Sequence, residues 1–168
     1  EGDLAGRTVL VTAGGTREPV DTVRYIGNRS SGKQGHAIAA EAGLRGADVV
    51  VVTTHPDRAP AGVRVVEVET AAEMAAACDT EAPNADIVVM AAAVADFRPA
   101  DAADGKLKKR DGAPAVELVP TVDILAGLGA AKPDGQVLIG FAAETDDLIV
   151  NAAEKLARKN LDAIVAND

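Results

Sequence analysis

Short apolar runs rich in β-branched residues recur along the chain, separated by turn residues or by segments with helical spacing. Six runs, at residues 7–13, 47–54, 63–68, 86–93, 137–141 and 161–165, predict buried strands. Helical spacing predicts helices at residues 33–44, 70–79, 122–129 and 146–159. Strands that alternate with helices predict an α/β fold. We expect a Rossmann-like, doubly wound, mostly parallel sheet with helices on both faces.

Several helix ends carry their own signals. Thr70, followed by Glu73, has the spacing of a capping box, and Gly46 after residues 33–44 is typical of a helix C-terminus. Ser31 precedes the first of these helices and could be its N-cap. The exposed N–H groups and hydroxyls of residues 28–35 could equally form an anion site. Local sequence leaves both interpretations open.

Residues 98–115 show neither a helical nor a buried-strand pattern, and charged residues occupy the centre of this segment. Unstructured loops of that length within one domain are usually functional lids or disordered segments. Lysines on a lid can close over a triphosphate and neutralise charge as pyrophosphate leaves. A solvated turn is the simpler alternative for Lys106, Lys108 and Lys109 taken alone.

Composition narrows the class of protein. The 168 residues, 48% of them hydrophobic and 26% charged, suit one domain over residues 1–168. A net charge of −9 argues against a nucleic-acid partner, and no apolar run approaches membrane-spanning length. The single cysteine, Cys78, excludes an internal disulfide and favours a reducing, cytoplasmic compartment. The missing initial Met and a strand close to the last residue predict truncation at both ends.

Positive charge is concentrated in three short segments. They contain 11 of the 17 Lys and Arg residues: Arg17, Arg24, Arg29 and Lys33; Lys106, Lys108, Lys109 and Arg110; Lys155, Arg158 and Lys159. An acidic protein that gathers its cations in this way could form a pocket for a small polyanion, although solvated faces would look similar. The aromatics are equally few: Tyr25, Phe97 and Phe141.

Unusual residues gather where predicted strands end, which is where doubly wound sheets bind ligands. Gly14 and Gly15 end the first strand and allow a phosphate, or merely a tight turn, to approach the backbone. Small residues and Asp96 end the fourth strand, where the carboxylate could hold Mg²⁺ or cap a turn. Phe141 ends the fifth strand and could pack against a base.

Other kinds of active site find little support. His36 and His55 are isolated in sequence from each other and from the cysteine, so we expect no metal cluster and no covalent nucleophile. An oxidoreductase of the short-chain type needs a Tyr-x-x-x-Lys pair, but Arg29 stands four residues after Tyr25. A non-catalytic nucleotide-binding or assembly module remains an open alternative.

Five motifs follow one another from Thr12 to the last residue: TAGGTREPVDTVRYIGNRSSGKQG, AAAVADFRP, KLKK, GFAAET and KLARKNLDAIVAND. In this order they resemble the phosphopantothenoylcysteine synthetase family. That family is usually the C-terminal half of a bifunctional bacterial protein whose other half is a flavin-dependent decarboxylase. The resemblance implies a homodimer and places FMN on the fused half, not on this chain.

The resemblance also implies a two-step ligase of coenzyme A biosynthesis. The carboxylate of 4′-phosphopantothenate attacks CTP in the presence of Mg²⁺ (or Mn²⁺), giving an acyl-cytidylate and pyrophosphate. L-cysteine then displaces CMP. The choice of CTP over ATP is a family-level expectation for a bacterial sequence. No membrane or nucleic-acid partner is implied.

Residue roles carry over by motif position. Asn28 is expected to help convert the acyl-cytidylate to product, and Lys106 to help form it. Nucleotide contacts are expected from Gly14, Gly15, Ser30, Ser31, Gly32, Met90, Ala91, Ala92, Asp96, Lys106, Val122, Asp123, Phe141, Lys155 and Lys159. Contacts with phosphopantothenate are expected from Arg24, Asn28 and Ala93, and the dimer that the resemblance implies would let residues 24–28 serve a partner's site.

Overall fold

Alternating strands and helices build the molecule, as the pattern predicts. The computed structural model describes residues 2–143 and 148–167. The strands are β1 (Thr8–Ala13), β2 (Arg17–Pro19), β3 (Tyr25–Gly27), β4 (Asp48–Thr53), β5 (Arg64–Glu67), β6 (Ile87–Met90), β7 (Phe97–Pro99), β8 (Leu118–Pro120), β9 (Val137–Ala143) and β10 (Ala163–Asn167). The helices are α1 (Lys33–Leu44), α2 (Ala71–Glu81), α3 (Ile124–Ala131) and α4 (Leu148–Arg158).

Six strands form one parallel sheet in the order β10-β9-β6-β1-β4-β5. The chain therefore builds one half of the sheet outward from β1 and the other half outward from β6, in opposite directions. This arrangement confirms the predicted doubly wound fold. It also creates a topological switch point between β1 and β6, where the loops that leave their carboxyl ends diverge.

Helices cover both faces of the sheet. On one face, Val9, Val11 and Val51 pack with Ala39 and Ala42 of α1, whose small side chains let the helix lie close to the strands. The other face contains a larger core in which side chains of α2 and α3 pack against the sheet. Its buried members are Leu10, Val50, Val52, Val68, Met74, Cys78, Ala82, Ala85, Val88, Met90, Ile124, Leu125, Leu128, Leu138 and Leu161.

Cys78 lies within this second core and is fully buried. Burial, assisted by the negative charge of Asp79, raises the pKa of the thiol to about 12. The side chain therefore stays protonated and behaves as a small apolar group. Cys78 has no part in thiolate chemistry.

Two antiparallel pairs lie outside the main sheet, and the sequence pattern did not predict them. β2 pairs with β3, and β7 pairs with β8, with β2 lying against β7. Strands of three residues are too short to show an alternating pattern. Since β2 follows β1 and β7 follows β6, both pairs lie beyond the carboxyl ends of the central strands.

Several predicted boundaries need correction. The strand predicted at 86–93 ends at Met90, the helix predicted at 122–129 begins at Ile124, and the helix predicted at 146–159 ends at Arg158. Ser31 is not the cap of α1: Gly32 occupies that position with φ +72°, and no side chain caps the helix. The predicted start of the last helix, Asp146, lies outside the described residues.

The predicted helix-end signals of α1 and α2 are confirmed. Thr70 and Glu73 form the complete capping box of α2. The end of α1 is closed by N–H groups of Arg45 and Gly46, which donate to carbonyls of the last turn. Over residues 2–143 and 148–167, no helix combines the length and the apolar character that crossing a bilayer requires.

Two glycines of α1 provide a matched test of its packing. A Cβ at Gly35 would lie 2.7 Å from the Cβ of Ala13 and 2.8 Å from the carbonyl oxygen of Thr12. We predict that Gly35→Ala lowers the free energy of unfolding by about 1–3 kcal/mol, because the helix must move off β1. Denaturant titration followed by far-UV circular dichroism measures the change.

The control is Gly43→Ala, where the nearest atom to an added Cβ is 4.0 Å away. Helix propensity predicts that this substitution stabilises the protein by roughly 0.5–1 kcal/mol. Equal effects at the two positions would contradict close packing of α1 on β1.

Candidate functional site

A pocket of about 640 Å³ lies at the switch point, beyond the carboxyl ends of the central strands. Three parts of the chain surround it: the segment before α1, the segment after β6, and the facing sides of β9, α3 and α4. Its lining residues are Asn28, Arg29, Ser30, Gln34, Met90, Ala91, Ala92, Ala93, Val94, Ala95, Asp96, Thr121, Val122, Asp123, Ile124, Leu125, Phe141, Lys155 and Lys159.

Two buried threonines hold the floor of the pocket in place. The hydroxyl of Thr12 accepts a hydrogen bond from the N–H of Ala92 (3.1 Å), and that of Thr16 accepts one from Ala95 (2.9 Å). Between them, the N–H of Ala93 donates to the carbonyl of Gly14 at 2.8 Å. These bonds satisfy backbone groups that leave the β6 ladder. The segment therefore stays extended, and its small side chains leave space above it.

Asn28 forms part of the wall beside this floor. Its side-chain nitrogen donates to the carbonyl of Val94 at 2.9 Å. Gly15 permits this approach, because a Cβ there would lie 2.5 Å from the carbonyl oxygen of Asn28. Gly14 and Gly15 thus lie behind the pocket wall and do not line the pocket themselves. Their expected contact with a nucleotide stays a prediction.

Two lysines line the opposite wall: Lys155 lies in the last turn of α4, and Lys159 directly follows the last residue of that helix. The ammonium group of Lys155 donates to the carbonyl of Phe141 at 2.9 Å, and that of Lys159 lies 2.8 Å from the Asp123 carboxylate. Partial burial acts to raise the pKa of Asp123, but Lys159 and the Ala126 N–H hold that pKa below its ordinary value. The Asp123 carboxylate is also the N-cap of α3.

A shallower depression adjoins the pocket at the N-terminus of α1. Ser31, Gly32, Lys33 and Gly35 line it, and it shares further lining residues with the pocket. The unbonded N–H groups of a helix start favour anions, and Lys33 adds a positive charge. The anion site predicted for residues 28–35 would lie here, and it stays a prediction.

The remaining predicted site residues lie away from the pocket lining. The guanidinium of Arg24 donates to the carboxylate of Asp21 and to the carbonyl of Leu107, both at 2.6 Å. Lys106 is exposed. Arg17 lies over the ring of Tyr25, 5.7 Å from its centroid. The structure therefore brings Arg29, Lys155 and Lys159 together, while the lysine segment at 106–109 stands apart.

Several lining residues had no individual role among the predictions, although Arg29 and Gln34 belong to the candidate anion site at residues 28–35. They are Arg29, Gln34, Val94, Ala95, Thr121, Ile124 and Leu125. Arg29 and Gln34 flank predicted residues within one motif, so their neighbours were a usable signal. Thr121 likewise precedes the predicted residues Val122 and Asp123, but its hydrogen bonds with the distant residues Ala95 and Asp96 could not be predicted from the sequence.

No preformed metal centre is evident in the part of the chain that the structure describes, where no three His, Cys, Asp or Glu side chains cluster suitably. Asp96 is exposed at the edge of the pocket. A single carboxylate suits Mg²⁺, which commonly binds through one or two carboxylates together with substrate phosphates. Asp96 could therefore hold Mg²⁺ only in company with a phosphorylated ligand.

Comparison with known proteins places this geometry in a family. Residues 4–168 match the family described as DNA/pantothenate metabolism flavoprotein C-terminal domain. The chain is 52% identical over 177 aligned residues to the coenzyme A biosynthesis bifunctional protein CoaBC of Mycobacterium tuberculosis H37Rv. That alignment covers 98% of this chain and 42% of the relative, so the chain spans less than half the length of such relatives.

Solved structures show the same fold. The crystal structure of the C-terminal domain of a CoaBC protein superposes with a TM-score of 0.87 at 44% identity, covering 100% of this chain and 80% of that one. A Cab2 mutant in complex with phosphopantothenate-cysteine is only 19% identical, with a TM-score of 0.80 over 96% of this chain and 72% of that one, and supports the fold alone. The chain belongs to the family of DNA/pantothenate metabolism flavoprotein C-terminal domains.

Proposed function

We propose that this chain is a phosphopantothenate–cysteine ligase that activates its acid substrate with CTP. One observation carries the proposal: Asn28, the small-residue floor and the side chains of Lys155 and Lys159 converge on a single pocket at the switch point. Membership in a family whose relatives are bifunctional coenzyme A biosynthesis proteins supports it. In those relatives we assign FMN and the decarboxylase to the other half, and we assign the reaction to the cytoplasm.

The pocket suits a nucleotide in size and charge. Its volume of about 640 Å³ lies within the roughly 300–1,000 Å³ typical of small-molecule sites. Lys155 and Lys159 supply positive charge beside Phe141, whose ring can pack against a base. Phosphates would extend toward Arg29 and the start of α1. Asp96 would hold Mg²⁺ against them, and the ion would supply further charge neutralisation.

The proposed chemistry has two substitutions. In the first, a carboxylate oxygen of 4′-phosphopantothenate bonds to the α-phosphorus of CTP, and the bond to the bridging oxygen breaks to release pyrophosphate. In the second, the amine of L-cysteine bonds to the acyl carbon, loses a proton and expels CMP. The amide of Asn28 can stabilise the oxyanion of the second step without itself titrating. Lys106 would neutralise charge on the departing pyrophosphate.

Pyrophosphate release tests the proposal directly. We expect the protein to release pyrophosphate from CTP only when 4′-phosphopantothenate and Mg²⁺ are present, and to form CMP when cysteine is added. Lys106→Met should slow pyrophosphate release by roughly 10²-fold, because charge stabilisation is lost. Asn28→Ala should leave the release measurable but slow CMP formation. The two products are quantified separately by a coupled phosphate assay and by chromatography.

ATP in place of CTP is the control for base choice, and omission of phosphopantothenate is the control for simple hydrolysis. A folded protein that binds CTP but releases no pyrophosphate with either nucleotide would refute the ligase. It would favour the non-catalytic binding module instead.

Two matched ion pairs isolate the contribution of Lys159. Lys159 pairs with Asp123 at the pocket, whereas Lys132 pairs with Asp162 elsewhere at a similar distance of 3.0 Å and with similar burial. We predict that Lys159→Met raises the dissociation constant for CTP about tenfold or more, because a charged hydrogen-bond donor is lost. Isothermal titration calorimetry gives the constant.

Lys132→Met should leave CTP affinity unchanged while altering stability by a comparable amount. If both substitutions weakened CTP binding equally, the pocket assignment of Lys159 would be wrong.

We also propose that the chain acts as a homodimer. Exposed apolar side chains gather on the two neighbouring antiparallel pairs, β2–β3 and β7–β8, which we call the short hairpins. Tyr25 is 58% exposed, Phe97 52% and Leu118 47%. Apolar groups concentrated on one surface are typical of interfaces between subunits. The β2–β3 hairpin, which carries Tyr25, also includes Arg24 and leads directly to Asn28. A partner subunit bound to this surface would therefore lie beside Arg24 and Asn28.

The dimer proposal predicts a clear change in mass. We expect a dimer by size-exclusion chromatography with light scattering. Leu118→Lys should raise the dissociation constant of the dimer about tenfold or more, because it places a charge in the apolar contact between the subunits. Leu44→Lys is the control, because Leu44 is 83% exposed at the end of α1. Identical behaviour of the two variants would overturn this interface.

A further inference from the structure

A buried carboxylate joins two segments that are far apart in sequence. Asp21 lies in the turn between β2 and β3, and only 4% of its surface is exposed. One carboxylate oxygen, Oδ1, accepts hydrogen bonds from the N–H groups of Val23 and Arg24, both at 2.8 Å. The other, Oδ2, accepts from the N–H of Leu107 at 3.0 Å and from the guanidinium of Arg24. Oδ1 thus stabilises the turn between β2 and β3, whereas Oδ2 joins that turn to Leu107.

The charged form of Asp21 is strongly favoured. Burial alone would raise the pKa of this carboxyl, but the N–H groups of Val23, Leu107 and Arg24 and the Arg24 guanidinium together hold the pKa well below its ordinary value. A buried carboxylate with this many donors is a fixed anchor. Any movement of Leu107 away from it would leave a buried charge less well satisfied.

The segment that carries the first lysine is fastened on both sides of that lysine. Upstream, the N–H of Ala103 donates to the carbonyl of Val20 at 3.0 Å. Downstream, Leu107 donates to Asp21 and accepts from Arg24. Both attachments are to the same turn. Residues 104–106 between them are exposed, and Lys106 therefore projects from a short span with fixed ends.

From this arrangement we propose that Asp21 is a positioning residue for the ligase reaction. Through Oδ2 it fixes Leu107 against Arg24, and thereby sets where Lys106 stands relative to the pocket. The proposal rests on the proposed function for the role of Lys106. Asp21 itself lies outside the pocket lining, so it acts through Lys106 and Arg24 and touches no reacting atom.

Asp21→Asn separates the two duties of the carboxylate. The retained carbonyl oxygen can serve the N–H groups of the turn, but the new NH₂ group then faces the N–H of Leu107 and the guanidinium of Arg24. If the amide turned the other way, its NH₂ group would instead face the N–H groups of Val23 and Arg24. In either orientation, one pair of N–H donors therefore loses its acceptor. The substitution should free residues 103–107 while the main sheet stays folded.

A matched control lies on the same hairpin. Glu18 is also a buried carboxylate, 2% exposed, but it accepts from the N–H of Ala71 at the start of α2. Glu18→Gln therefore disturbs a buried acid without touching Leu107. Any general effect of losing a buried charge near the site should appear in both variants.

The first measurement is hydrogen exchange of the Leu107 amide, read by mass spectrometry on peptides that cover residues 101–112. We expect Asp21→Asn to speed this exchange about tenfold or more, because a hydrogen bond to a charged acceptor is lost. Glu18→Gln should not. Unchanged exchange in Asp21→Asn would overturn the proposal.

The second measurement is a double-variant cycle on pyrophosphate release. We expect Asp21→Asn to lower kcat roughly tenfold to a hundredfold, with a smaller change in KM for CTP, because the lysine is misplaced. In a Lys106→Met background, the same substitution should cost much less. If the effects of Asp21→Asn and Lys106→Met on kcat multiplied fully, Asp21 would be merely structural. The same conclusion would follow if Asp21→Asn sped the exchange of the Leu107 amide but left kcat unchanged.

Failure of the proposed function would look different. A wild-type protein that releases no pyrophosphate overturns the ligase and, with it, the catalytic part of this proposal. The exchange of the Leu107 amide still decides whether Asp21 fixes the segment, because that measurement needs no substrate.

Discussion

The pocket depends on the pairing of β1 with β6 and on what happens where that pairing ends. Beyond Met90 the two segments still run side by side, and backbone bonds between Ala93 and Gly14 alternate with bonds from backbone N–H groups to the hydroxyls of Thr12 and Thr16. Hydroxyls can accept in directions that a continuing strand could not, so the segment separates from β1 gradually. That gradual separation opens the switch point without leaving unsatisfied buried peptide groups.

The two short hairpins, β2–β3 and β7–β8, lie beside this opening and depend on the sheet for their geometry. The short hairpins are too small to be stable alone. They are fastened to each other and to the sheet by single side chains: Glu18 bonds to the start of α2, Asp21 bonds to Leu107, and Asn28 bonds to the floor. Each of these bonds joins residues more than fifty positions apart in sequence. The hairpins are therefore a product of tertiary contacts, and their geometry follows that of the sheet.

This division explains what the sequence could and could not predict. The buried strands and the capping box at Thr70 were predictable, because their signals are local and repeat along the chain. The hairpins and the attachment of Leu107 were not, since nothing near Asp21 indicates a partner eighty-six residues away. The interpretation of Ser31 as the N-cap of α1 was wrong for a related reason. Serine is a good capping residue, but the N-cap position is occupied by Gly32, whose backbone has a positive φ. In the candidate site, a predicted strand end pointed to Phe141 and the family resemblance pointed to Asn28, whereas Thr121 was missed.

The scarcity of aromatic residues has a practical consequence for anyone who follows this molecule in solution. There is no tryptophan, and the core is aliphatic, so near-ultraviolet absorption and intrinsic emission come chiefly from Tyr25. That ring is exposed on a hairpin and lies beneath the guanidinium of Arg17. Its signal therefore reports the surroundings of the hairpin and reports the sheet only indirectly. Optical changes on adding a ligand or a second subunit would arise at the rim of the site, while loss of the core would be seen only through release of the hairpin that depends on it.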